Sequence, residues 1–420
     1  MRRASINLNW RQHAALALAV ALLAGCSTRP AGTSNTSGGL ATGPGVTDQV
    51  IRLGVLSDRT GAFAGPGKSI EQGRMLYWEQ KNKEGGVCHR RVEFTVKDHG
   101  YDTQNAVTAY SQVKNDVLAL DELLGSPMIA ALLPSLSRDQ MLAFAASWSS
   151  NLLSNPYVLI TGATYDIEMI NGVSWLADNR GLARGDKIGH IFLEGDFGEN
   201  ALAGSRAAAK NLGLSLLEHK VKPTDADLTG QITALRSAGA KFVLLSITPA
   251  QTASAVSVAE ATGYDATFLG STPTFSPALL SGPARPALEK RLLVATSIAP
   301  FSATEPGPTR VRAAFATTYA GQQQSSYVMY GYAQGEIMAR ILETACANGD
   351  LTRAGVLKAF QSLSDVRTDG LVAPLNYSKA GQIPARETYL VRPDAAAAGG
   401  TTSVAPLFAA PLATNYHPGG

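Results

Sequence analysis

The chain has 420 residues and only three cysteines, with no CxxC pair. Its six histidines include no pair at the i, i+4 helical spacing, so the common metal-site patterns are missing. There is no G-x-S-x-G and no Lys-Thr-Gly, which removes the usual signatures of serine hydrolases and penicillin-interacting enzymes. Charge of neither sign prevails: Lys+Arg number 36 and Asp+Glu 33. Without Arg2, Arg3 and Arg11, which lie in an N-terminal segment free of acids, the two balance at 33 each. A neutral body without a basic run offers no footprint for nucleic acid. No solenoid repeat is visible. What is present is 45% hydrophobic and 16% charged residues, enough for a large core and too much chain for one ordinary domain.

The first 25 residues read as a targeting segment. Arg2, Arg3 and Arg11 form a charged start, and residues 14–25 form an apolar stretch too short to span a membrane, where about 20 residues are needed. It ends in Leu23-Ala24-Gly25-Cys26, which resembles a bacterial lipobox, with Cys26 as the lipidated mature N-terminus. Arg2-Arg3 suggests twin-arginine export, but the residues after it do not support that. Residues 26–47, rich in Gly, Ser, Thr, Ala and Pro, read as a flexible tether. The protein is therefore expected outside the cytoplasm, anchored to the cell membrane and facing the periplasm or the exterior. Cys88 and Cys346 each follow a predicted helix end. In an oxidising compartment they are either a disulfide or two separate buried thiols.

From residue 50 strand and helix signals alternate. Strands are expected at 51–56, 92–96, 120–124, 141–144 and 157–161, with a helix at 68–83 and another N-capped by Asp102. A second series starts after Asn179, with strands at 188–193, 214–221, 242–247, 267–269 and 292–297. Its helices at 199–212, 228–238 and 251–261 each stop at a glycine: Gly213, Gly239 and Gly263. Helices at 310–319, 329–347 and 352–363, short strands at 371–377 and 387–391, and a poorly ordered tail from 393 complete the reading. Strict alternation predicts an α/β fold of two doubly wound parallel-sheet lobes with a ligand cleft between them.

The stretch from 120 to 150 is the chemical centre of this reading. A strand ends at Leu124 and gives way to Gly125-Ser126-Pro127 and a helix at 128–136. The next strand ends in Ser147-Trp148-Ser149-Ser150. Pro127 suits a first helical turn. Two strands thus release hydroxyls and helix-start N–H groups at their C-terminal ends, where open α/β sheets hold ligands and where a carboxylate is favoured.

The ordered set of segments then becomes informative: IRLGVLSDRTGAF, KDHGYD, LLGSP, FAASWSS, NPYVLITGATYD, HIFLEGDFGEN, FVLLSITPAQT, FLGSTPTF, YGYAQGEIMARILETA and LVAPLNYSKAG. Over residues 51–392 the chain resembles the branched-chain amino-acid (Leu/Ile/Val) binding-protein family of ABC transporters, type 1 periplasmic binding proteins, in lipoprotein form. The resemblance implies a clamp of two lobes joined by a three-strand hinge, 48–164 with 298–370 and 165–297 with 371–392. It also implies a small-molecule ligand, ABC permease subunits as partners, a monomer, and neither catalysis nor a cofactor. It places the ligand carboxylate at Ser126, Met128 and Ile129 and at Ser147, Trp148 and Ser149. The second lobe is expected to add Phe197, Thr248 and Thr272.

Three departures from the family pattern bear on the ligand. Thr272 stands where the acid for an amino-acid amine is usual, Ile129 where a hydroxyl is frequent, and bulky Trp148 where small residues are common. An ammonium group buried without a counter-charge is costly. A carboxylate or amide with an apolar or aromatic body therefore fits better than a branched-chain amino acid, with Asp58, Asp166 or Asp196 as other sources of negative charge. Ligand sensing through a membrane receptor is the alternative to transport.

Other motifs are weaker. Gly67-Lys68-Ser69 misses the P-loop pattern, since Ala62 stands where its first glycine belongs. Ser111 and Lys114 match S-x-x-K, but on a helix face; an envelope hydrolase is the reading they support. His89, Asp98, His99 and Asp102 lack metal-site spacing and read as a polar loop.

Overall fold

The computed structural model describes residues 35–37 and 39–418. The signal segment 1–25 and Cys26 lie outside the described residues. Where the tether was expected, β1 (Asn35–Ser37) and β2 (Leu40–Thr42) pair antiparallel, and β2 also pairs with a short strand near residue 350. The second half of the tether is thus structure, because its backbone finds a ladder partner.

The first main sheet is built from β3 (Val50–Ser57), β4 (Arg91–Asp98), β5 (Leu120–Leu124), β6 (Ala143–Ala146) and β7 (Val158–Ile160). All pairs are parallel, in the order β4-β3-β5-β6-β7. Helices α1 (Ala64–Lys83), α2 (Thr103–Val113) and α3 (Ser126–Asp139) connect these strands. The chain then moves to a second sheet through α4 (Tyr165–Arg180). That sheet contains β8 (Lys187–Leu193), β9 (Ser215–Val221), β10 (Phe242–Ser246), β11 (Thr267–Ser271) and β12 (Leu292–Thr296). Its helices are α5 (Asp196–Leu212), α6 (Thr229–Ala238), α7 (Pro249–Ala261) and α8 (Arg285–Arg291). Gly213 and Gly239 end α5 and α6 in the left-handed conformation, as glycine allows without a Cβ penalty.

After β12 the chain returns to the first sheet as α9 (Pro306–Thr318), α10 (Ser326–Ala347), β13 (Asp350–Leu351) and α11 (Arg353–Gln361). Helix α10 lies against α1 with backbones in contact. A Cβ on Gly73 would collide with the Val328 carbonyl, and one on Gly331 with that of Ile70. Cys88, just past α1, is joined to Cys346 at the end of α10 by a disulfide, with Cα atoms 6.4 Å apart.

The final segment corrects two expectations. Residues 371–377 form no strand. They make isolated bridges only, Val372 to Ile298 and Leu375 to Val366, and Pro374 between them has no N–H to extend a ladder. The tail from 393, read as poorly ordered, is folded. β14 (Thr388–Pro393) pairs antiparallel with β12 and with β15 (Thr401–Phe408), and α12 (Pro411–Asn415) follows. Asn171 on α4 holds this segment by accepting the Ala410 N–H at 2.8 Å. The second sheet therefore runs β15-β14-β12-β11-β10-β8-β9, and its parallel part has the strand order of the first. Both reverse direction beside their first strand, the position at which open α/β sheets form a crevice.

Candidate functional site

The crevice of the first sheet opens at the ends of β3, β4, β5 and β6. Asp58, fully buried after β3, accepts the N–H groups of Thr60, Gly61 and Phe63 at 3.3, 2.5 and 2.8 Å. Its carboxylate is used on this turn, which delivers Phe63 to the crevice. Tyr101, after β4, meets Phe63 with ring centroids 4.6 Å apart. From the second sheet, Phe197 in the first turn of α5 approaches Phe63 at 6.4 Å and Tyr165 at 4.6 Å. Trp148 packs on Tyr330 at 4.8 Å, and its indole N–H donates to the Thr161 carbonyl at 2.6 Å. Phe63, Tyr101, Trp148, Tyr165 and Phe197, with Ile70, Leu124 and Pro273, line a cavity of about 30 Å³.

The polar end of the cavity is the start of α3. Gly125, at φ 98°, turns the chain from β5 into the helix, a conformation that excludes a β-branched residue. No side chain caps this helix. Ser126 lines the cavity, and its hydroxyl lies 2.7 Å from that of Ser147, both fully buried. Two hydroxyls that share one hydrogen bond keep one proton for a further acceptor. Tyr165 reaches the same pair, and burial pushes its phenol well above the ordinary range. The start of α3 and these hydroxyls form a neutral end whose donors suit an anion.

Of the residues named from sequence, Ser126, Trp148 and Phe197 line the cavity, and Ser147 stands directly behind. Ser149 is buried beside Asp196, whose pKa is raised by burial. The other four are not brought to the cavity. Met128 packs beneath Gly125, its sulfur 3.8 Å from the Thr103 hydroxyl. Ile129 is fully buried in the core. Thr248 is the N-cap of α7 in a reciprocal capping box with Gln251.

Thr272 has the most informative place. Its N–H donates to Glu168 at 2.9 Å, and its hydroxyl contacts both the Glu168 carboxyl and Thr296 Oγ1, the latter at 2.9 Å. The Thr296 hydroxyl can pass its proton to Thr272 and Thr272 its own to Glu168, so these contacts fit either protonation state of the acid, and burial decides between them. Burial accordingly pushes Glu168 up to about 8. An acid does lie near the position where the family places one, but it comes from α4 and is covered by Thr272.

The three aspartates considered as charge sources are also engaged elsewhere. Asp58 holds its turn. Asp166 is surrounded by Ser150, Thr164 and Asn200, and burial raises its pKa. Asp196 accepts from Asn151 at 2.8 Å. Among the described residues no Asp, Glu, Lys or Arg lines the cavity.

Sequence reasoning missed Phe63, Tyr101, Tyr165, Pro273 and Tyr327 as cavity residues. A usable signal existed for the first three: each is an aromatic within a few residues of a parallel strand's C-terminal end. Tyr327 opens a helix and carried no such mark.

The secondary motifs are structural. Ser111 donates to the Val107 carbonyl and Lys114 pairs with Asp139 at 3.3 Å, so the two face different partners. Asp102 caps α2 through the Asn105 N–H. Gly67-Lys68-Ser69 lies within the first two turns of α1. Among the described residues no group of three or more His, Cys, Asp or Glu could hold a metal, and no helix is long and apolar enough to cross a membrane.

Comparison with known proteins agrees with this architecture. The periplasmic binding protein family profile matches residues 50–400. A fatty acid ABC transporter substrate-binding protein from Thermomonospora curvata is 42% identical, with 90% of this chain and 97% of that one covered and a TM-score of 0.88. A branched chain amino acid ABC transporter protein from Thermus thermophilus with bound valine is 18% identical over 88% of this chain and 98% of that one, with a TM-score of 0.78. A possible leucine/isoleucine/valine-binding protein from Rhodopirellula baltica is 17% identical over 85% and 96%, with a TM-score of 0.76. No curated protein matches. Two parallel sheets with a crevice at their strand ends, and a family profile spanning both, make this chain a member of the periplasmic binding protein family, an extracytoplasmic solute-binding protein of the ABC-transporter type.

Proposed function

We propose that the chain is anchored through a lipid on Cys26, acts as a monomer, and delivers an amine-free carboxylate with an apolar body, of the fatty-acid class, to ABC permease subunits. One observation carries the ligand class: the cavity is walled by aromatic and aliphatic side chains and ends in hydroxyl and N–H donors, with no carboxylate to meet an amine. An ammonium group there would lose its water without gaining a counter-charge, whereas a carboxylate would find donors and its hydrocarbon would be buried. The 42%-identical substrate-binding protein described as belonging to a fatty acid transporter supports the same class. The proposed moving bodies are 48–164 with 298–370 and 165–297 with 371–392, closing around the ligand to exclude water.

The test is thermal stability of the protein from Ser27 onward against a panel of fatty acids, branched-chain keto acids and leucine. A ligand at 100 times its dissociation constant stabilises by about 2.7 kcal/mol. Fatty acids should raise the melting temperature and leucine should not. A response to leucine alone would overturn the reading.

A further inference from the structure

The cavity described above shares a wall with a second one. This second cavity also measures about 30 Å³ and lies between the turn after β11, strands β12 and β14, and the start of α10. Tyr327 lines both. Pro273 lines the first, while its neighbour Thr272 lines the second. The wall is thus one phenol ring and one turn of chain, joined where the Tyr327 hydroxyl donates to the Thr272 carbonyl at 2.8 Å. The far side is largely apolar, with Phe275, Val294, Ile298 and Val391, and among the described residues no charged side chain lines it.

We infer that the second cavity is the terminal subsite for the hydrocarbon tail of a long-chain carboxylate, with Tyr327 as the gate that sets how long a chain is accepted. The inference rests on the ligand class proposed above and goes beyond it by assigning a chain-length determinant. The two halves of the gate belong to different sides of the molecule. Tyr327 is carried by α10, which packs on the first sheet and is tied to it where the Tyr330 hydroxyl donates to the Ala145 carbonyl at 2.8 Å. Thr272 and Pro273 follow β11 of the second sheet and are held by Glu168 from α4. Separating the sheets therefore breaks the Tyr327–Thr272 hydrogen bond and joins the two cavities. With its head at Ser126, a short chain ends before the gate, and the hydrogen bond re-forms on closure. A longer chain keeps the gate open and must offset the lost bond with methylenes buried beyond it. Each buried methylene tightens binding about four-fold, so a few carbons past the gate are enough.

The experiment is calorimetric titration of the protein with straight-chain acids from butyrate to stearate. In the unaltered protein affinity should climb with length, pause where the chain meets Tyr327, and climb again. Tyr327→Ala should erase the pause and favour long acids over short ones. Val391→Phe, which fills the second cavity, should weaken long acids at least ten-fold more than short ones; Val294→Leu serves the same purpose if that variant fails to fold. If both cavity variants and Tyr327→Ala keep the unaltered length profile, the subsite is overturned while the ligand class stands. If no acid of any length binds the unaltered protein, both fall together.

Discussion

The two sheets place similar residues at equivalent strand ends and use them differently. After its third strand the first sheet has Gly125-Ser126-Pro127, and the second has Thr248-Pro249. After the fourth the first sheet has Ser147-Trp148-Ser149, and the second Thr272-Pro273-Thr274. In the second sheet Thr248 closes its own helix with Gln251, and Thr272 covers Glu168. In the first sheet α3 has no side-chain cap, and Ser126 and Ser147 bond each other beside the Tyr165 hydroxyl, with Ser147 also accepting the Ser149 N–H at 3.4 Å. Under the function proposed above, the first-sheet hydroxyls serve a ligand because no helix cap or buried acid claims them.

The comparison can be broken most directly at Glu168. Its pKa rises from 4.5 to about 8, so the folded state holds a proton that the unfolded chain releases. Stability should therefore be full below about pH 4.5 and fall as pH rises to about 8, on the order of a few kcal/mol in all. Asp121, raised by burial to about 7, adds to the same slope. Above pH 7 the difference between the native protein and Glu168→Gln isolates Glu168, and urea unfolding across pH measures it. Equal slopes in that range would show that Thr272 does not cover a protonated acid.

The first sheet is tested by replacing Ser126 and Ser147 together with alanine. Ligand affinity should fall by about 1–3 kcal/mol, roughly five- to 150-fold, as donors to a buried anion are lost. Titration with the best-bound acid reads this directly, and undiminished affinity would move the anion end elsewhere. The smallest effect is expected at Thr248. Thr248→Ala should lower stability by about 1 kcal/mol through the lost helix cap, with affinity unchanged. A loss of affinity there would show that the second sheet also offers a hydroxyl to the ligand.

The fold was legible in sequence where periodicity and stop signals coincide. Gly213 and Gly239 end helices as expected, and Asp102 starts one. Strand 120–124 was legible as an element but not in its chemistry. Asp121 and Glu122 are fully buried within it and face Arg74 of α1, which bonds Glu122 and lies 3.9 Å from Asp121. Such a cluster joins residues 47 or more positions apart, and no local pattern announces it. Composition misled at both ends. The Gly- and Ala-rich tether and tail contribute β2, the middle strand of a small sheet, and β15, at the edge of the second main sheet, because a strand there needs backbone partners more than apolar side chains.

Sequence alone determined the alternation of strands and helices, hence the parallel strands of both sheets, and it singled out the strand ends at Gly125-Ser126 and Ser147-Trp148, where the ligand is proposed to sit. These follow from local periodicity and from backbone geometry that each segment carries within itself. Only the tertiary structure decided which hydroxyls stay available, that Glu168 is covered by Thr272, and that Phe63, Tyr101, Tyr165, Phe197 and Tyr327 meet around one cavity. Those outcomes depend on contacts between segments distant in the chain, where burial and competition for hydrogen-bond partners are settled by packing.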